Sequence, residues 1–246
     1  RIVSGIMLTV LIIGVLTSAF NIQPVKASET IYIKADGSVD PPDAPISSVD
    51  NVTYTFTADI YDSIVIERDN IVIDGAGYTV QGTGAYLSRG ISVSKRSNIT
   101  IKNTNVKAFW TGIYVEQSSH VFITSNNITA NNNLGVYLYS SSNNNMTQNN
   151  ITGNTNVGIG FTDSSYNVAS QNSITRNGQG ISLHSFSENN NITTNNITDN
   201  EIGVRFFESS GNVFRNNHIS GNQYNLDLYA WGVILSISLM MWILQT

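Results

Sequence analysis

The sequence contains no cysteine, and only 12 % of its residues are charged. Without cysteine there is no disulfide, no thiolate zinc site and no lipid anchor on an N-terminal cysteine. Twelve Lys and Arg against 17 Asp and Glu give a net charge of −5, and no basic stripe runs along the chain. A nucleic-acid partner is therefore not expected. Histidine is as sparse: His120, His184 and His218 belong to different turns or faces, and the four methionines do not cluster in the repeats. No metal-ligand set is legible, and no cofactor is expected.

What the chain does have is repetition. From Gly112 to Tyr224 it repeats with a period of 22 or 23 residues, each unit opened by a glycine: Gly112, Gly135, Gly158, Gly180 and Gly203, with Gly90 opening a looser unit before them. One Asn column runs through Asn126, Asn149, Asn172, Asn195 and Asn217, and a second through Asn131, Asn154, Asn177, Asn200 and Asn222. Ile128, Ile151, Ile174, Ile197 and Ile219 keep the same register. Disorder would not hold three columns in step, so the asparagine richness is structural. With almost no insertions, each unit must stack on the last.

One unit selects the architecture. After each glycine, apolar residues alternate at the first and third positions, as Ile113 and Val115 or Ile159 and Phe161 do. That period of two marks a short strand with one buried face. A second apolar patch surrounds Ile123, Met146, Ile192 and Phe214, and the Ile128 column makes a third. Three short strands and their turns use up the unit and leave no room for a helix. Stacked at about 4.8 Å, they pair in parallel with their own copies. The expected fold is all-β, a right-handed parallel β-helix, the hand following from the usual chirality of parallel connections. At its sharp turns the Asn residues are expected to take the unusual backbone angles and to bond from coil to coil.

The flanks differ. Residues 1–28 join Arg1 to an apolar run and a small-residue cleavage point near Ser28, the pattern of a secretory signal peptide or uncleaved signal anchor. Residues 29–62 are irregular and are expected to cap the first coil, because an open solenoid end exposes strand edges. The β-helix proper is assigned to residues 63–228, with 63–89 as its first coil or two. Residues 229–246 form an apolar tail, read either as a truncated membrane segment or as the product of a shifted reading frame. The mature chain is expected to be secreted or held at the cell surface, and to meet a membrane only through one of these two terminal segments.

The block IVIDGAGYTVQG at residues 71–82, followed by repeats of the form GIxVxxSxxxxITxNNIxxN, resembles the right-handed parallel β-helix repeat family. Within it the chain is similar to exported archaeal and bacterial proteins with the NosD-type, or carbohydrate-binding and sugar-hydrolysis (CASH), domain. The resemblance spans about residues 29–228. It implies a function among polysaccharide lyases, glycosidases, epimerases, copper-site maturation factors and surface proteins.

The outward positions of the glycine-led strands decide among these. They form two columns, one through Tyr114, Tyr137, Gly160, Ser182 and Arg205, the other through Glu116, Tyr139, Thr162, His184 and Phe207. Aromatic rings at coil intervals match the rise of a sugar unit, and hydroxyls and Glu116 can bond its edges. Tyr114, Glu116, Tyr137, Tyr139, His184, Arg205 and Phe207 are therefore the expected carbohydrate-binding residues, with Phe109 and Trp110 beside them. The partner is a polysaccharide or cell-surface glycan. An enzyme is the alternative, its candidates for catalysis being Asp163 and Glu208, two coils or about 9.6 Å apart, near the separation an inverting glycosidase uses. A copper-site role finds no ligand set.

Overall fold

The computed structural model describes residues 30–229 and the backbone of the strand Ser238–Trp242. The segment 1–28, expected from the sequence to be a signal peptide or anchor, and most of the tail at 229–246 lie outside the described residues. Among those described, no helix is long and apolar enough to cross a membrane.

The apolar columns become the inside of a parallel β-solenoid of about eight turns. A typical coil contributes Thr111–Glu116, Ser119–Thr124 and Asn127–Thr129, and the next contributes Leu134–Tyr139, Asn145–Thr147 and Asn150–Thr152. The strands pair in parallel without slippage: Ile113 faces Val136, Ile123 faces Met146, and Ile128 faces Ile151. All six are fully buried. The glycine-led strands belong to one ten-stranded sheet. The other two faces join into a sixteen-stranded sheet, because Val213–Ser220 turns the corner and pairs with both Asn191–Thr193 and Asn196–Thr198.

The glycine column is required by close approach. A Cβ on Gly135 would lie 2.7 Å from the carbonyl oxygen of Gly158, 2.9 Å from Nδ2 of Asn154 and 3.0 Å from Cγ2 of Ile151. Gly112, Gly158, Gly180 and Gly203 meet equivalent neighbours. The repeat therefore opens on glycine because adjacent coils touch there.

The asparagines form hydrogen-bonded ladders. The backbone N–H and Nδ2 of Asn126 both donate to Oδ1 of Asn149, at 3.0 and 3.1 Å, and Nδ2 also donates to the Ile101 carbonyl at 2.9 Å. Asn149 repeats this toward Asn172, and Asn131 toward Asn154. One detail corrects the sequence reading. The residue with a left-handed backbone is the one before each ladder Asn: Ser125, Gln148, Gln171, Thr194 and Asn216, with φ between 55° and 58°. That kink turns the following amide inward, where it reaches the next coil. Two further ladders were not anticipated. Asn144, Asn167, Asn190 and Asn212 line the corner before the second strand of the coil, and Ser118, Ser141, Ser164, Ser187 and Ser209 line the corner after the first.

At the N-terminal end Ile31–Ile33 pairs with Ile64–Ile66, Thr53–Phe56 with Ile71–Asp74, and Ile60 bridges Val80. Residues 31–60 thus stack on the single coil made by 64–81. The excursion between Ile33 and Thr53 adds two antiparallel strands, Val39–Asp40 and Ile46–Ser47, which cover the N-terminal edge of the ten-stranded sheet and one of the two edges of the sixteen-stranded sheet.

Candidate functional site

The glycine-led sheet presents its outward side chains in rows one coil apart, and their sizes shape its surface. Tyr114 and Tyr137 stand on neighbouring strands with ring centroids 5.8 Å apart, and Tyr139 lies 6.4 Å from Tyr137. The next two strands place only Gly160 and Ser182 in the same row. Beyond them Arg205 restores the bulk. The result is a groove of about 300 Å³ whose lining includes Tyr137, Gly160, Thr162, Gln179, Ser182, His184 and Arg205.

Tyr137 leans over Gly160 and donates from its hydroxyl to Oγ1 of Thr162 at 3.0 Å. A Cβ at Gly160 would lie 3.2 Å from the Tyr137 ring, so the missing side chain gives the ring its seat. Ser182 is only 2 % exposed, and its Oγ makes no hydrogen bond within the protein. Oε1 of Gln179 is likewise buried and unpartnered. Two such groups in one groove are unusual, since a buried polar atom left unpaired costs about 1–3 kcal/mol. Across the groove Arg205 donates from Nε to Oδ2 of Asp227 at 2.8 Å. Burial lowers the His184 pKa below its ordinary 6.5, and the Arg205 charge lowers it further, so the ring is neutral at physiological pH.

Of the residues expected from the sequence, Tyr137, His184 and Arg205 line the groove. Tyr114 points outward but is 7 % exposed, because Arg89 covers its ring with Cζ 3.5 Å from the centroid and Tyr137 packs alongside. Burial raises the Tyr114 phenol above its usual pKa, with Arg89 opposing the rise and Glu116 adding to it. Glu116 accepts from Oγ of Ser94 at 3.1 Å. Phe207 is sandwiched between His184 and Tyr229, with centroids 5.2 Å away on each side. Its two faces are thus occupied by neighbouring coils, and Tyr139 is the most exposed ring of the expected set. Phe109, expected beside the patch, is a core residue. Its ring occupies the space a Cβ on Gly82 or Gly90 would need.

Asp163 and Glu208 both occupy the left-handed corner after their strands, each with φ of 49°. The Asp163 carboxylate accepts from Oγ of Ser140 on the preceding coil at 3.0 Å, away from Glu208, and neither residue lines the groove. Among the described residues no group of His, Asp and Glu could hold a metal ion.

A parallel β-solenoid with a polar groove on its glycine-led face is thus the class defined by fold and site. The chain belongs to the right-handed β-helix family, whose pattern matches residues 89–237. No curated protein matches the sequence. Among solved structures it is similar to the periplasmic alginate epimerase AlgG, at 19 % identity and a TM-score of 0.57, over 72 % of this chain and 47 % of that one. It is also similar to the mannuronan C-5 epimerase AlgE4 A-module of Azotobacter vinelandii, at 15 % identity and a TM-score of 0.54, over 72 % of this chain and 60 % of that one. The chain spans about half the length of the first of these and three fifths of the second. At such identities the likeness is one of fold.

Proposed function

We propose that this protein is an exported or cell-surface β-helix that binds carbohydrate without transforming it, through the groove of the glycine-led sheet. The observation that carries this reading is the pair of buried, unpartnered polar atoms, Ser182 Oγ and Gln179 Oε1, in a groove walled by Tyr137 and His184. Buried polar groups without partners are poised for a ligand that supplies them, and a sugar offers hydroxyls at close spacing together with an apolar ring face. Support also comes from the named activities of the structural neighbours, which are epimerases of alginate and mannuronan. An extracytoplasmic location agrees with the periplasmic site named for the first of them.

A second reading, a carbohydrate-active enzyme, draws on one observation. His184 is held neutral beside Arg205 in the groove, the state a general base requires. The full chain, presented to a polysaccharide array beside Gly160→Leu, tests the first reading. The new side chain fills the groove floor where the Tyr137 ring now rests over Gly160. Binding by the parent and loss in the variant is the expected result; equal binding by both would remove the groove from the account. Product analysis on the bound glycan tests the second reading, which fails if the glycan is recovered unchanged.

A further inference from the structure

We propose that the groove selects an uncharged, hydroxyl-rich sugar unit of a neutral polysaccharide and rejects polyuronates. This inference rests on the carbohydrate-binding reading above and concerns the charge of the ligand.

The argument starts from donor and acceptor chemistry. Oε1 of Gln179 can only accept, and it is buried without a partner. Its complement must be a donor, which a sugar hydroxyl is and an ionised carboxylate is not. Oγ of Ser182 can donate or accept, so it also suits a hydroxyl. A uronate could satisfy this oxygen only through a ring hydroxyl, with its carboxylate turned away from the Gln179 carbonyl oxygen.

Electrostatics points the same way. Arg205 is the one permanently charged side chain lining the groove among the described residues, and Asp227 neutralises it at 2.8 Å. His184 contributes no charge at neutral pH. The borders are acidic: Asp163 follows Thr162, Glu201 precedes Ile202, and Glu208 follows Phe207. The chain as a whole carries −5. A polyanion laid along the coil axis would approach these carboxylates with no free cation in the groove to receive it, and like charges brought together at a partly desolvated surface repel. A neutral polymer meets no such barrier.

The experiment titrates the full chain with soluble mannan and (1→3)-β-glucan as neutral probes, and with polymannuronate and polygalacturonate as charged ones. The parent, Ser182→Ala and Asp227→Asn are compared. A neutral probe is expected to bind the parent at least tenfold more tightly than either polyuronate, and to lose about tenfold in Ser182→Ala. Freeing Arg205 in Asp227→Asn is expected to bring polyuronate binding into range, in a manner weakened by salt. Tighter binding of a polyuronate by the parent would overturn the charge selectivity and leave carbohydrate binding standing. Equal affinity of the parent and Ser182→Ala for the neutral probe would place the ligand outside the groove and overturn the inference. Absence of binding to all four probes, together with an array on which no glycan is bound, would overturn both.

Discussion

At the scale of the residue, the interior amides are the distinctive chemistry of this chain. Asn149 shows what one of them does. Its Oδ1 receives two donors from Asn126, and its Nδ2 donates to Asn172 and to the carbonyl of Ile123. Each amide therefore satisfies the coils on both sides, and a parallel stack of short strands gains three such threads, with the serine ladder as a fourth. Asn149→Leu strands the donors of Asn126 and the carbonyl of Ile123 in a dry interior. At about 1–3 kcal/mol for each group left unpaired, the loss is expected to reach about 3 kcal/mol or more. Urea denaturation measures it, with Asn150→Ala as the comparison. Asn150 faces solvent, and its loss is expected to cost about 0.5 kcal/mol or less. Equal costs at the two positions would mean that the ladder is incidental to stability.

At the scale of the element, legibility follows from periodicity. The glycine-led strands, the Ile128 column and two of the Asn ladders repeat at one spacing, and each repeat obeys a single steric or hydrogen-bonding rule, so the coil could be read directly. The Asn144 ladder escaped because Asn144 and Asn190 sit inside runs of consecutive asparagines and because Val121 takes its place one coil earlier. The groove escaped for the opposite reason: it is a break in a column. The outward row Tyr114, Tyr137, Gly160, Ser182, Arg205 loses its bulk for two coils, and that dip was present in the sequence. What the row could not show is that Tyr114 and Phe207 spend their ring faces on Arg89, His184 and Tyr229. The neutral His184 supplies a test of this packing. In the folded chain it binds its proton more weakly than in the unfolded chain, so stability is fully present above pH 6.5 and falls as the pH drops from there through the lowered value. Denaturation midpoints measured between pH 8 and pH 5 are expected to show this decline, and His184→Gln is expected to flatten it. A parent profile already matching the variant would contradict the burial of His184.

At the scale of the whole molecule, the solenoid solves the problem of its own edges at one end. The excursion between Ile33 and Thr53 places an antiparallel strand on each sheet, so two of the three faces begin on strands that do not invite a further parallel coil. That segment resisted sequence reading because the excursion breaks the period, although Ile31, Ile33, Tyr54, Phe56 and Ile60 occupy the same interior as the later columns. The rigid coils then present a groove whose shape is set by backbone stacking, which spares a ligand much of the ordering cost of binding. Function on this account is local, the work of two unsatisfied oxygens and the residues that shelter them. The most direct test is calorimetric titration of the full chain and of Ser182→Ala with the glycan bound most strongly on the array, after thermal melts show both proteins equally folded. The account predicts an affinity about tenfold weaker in the variant, the roughly 1.4 kcal/mol of one lost hydrogen bond. Unchanged affinity at equal stability would contradict it.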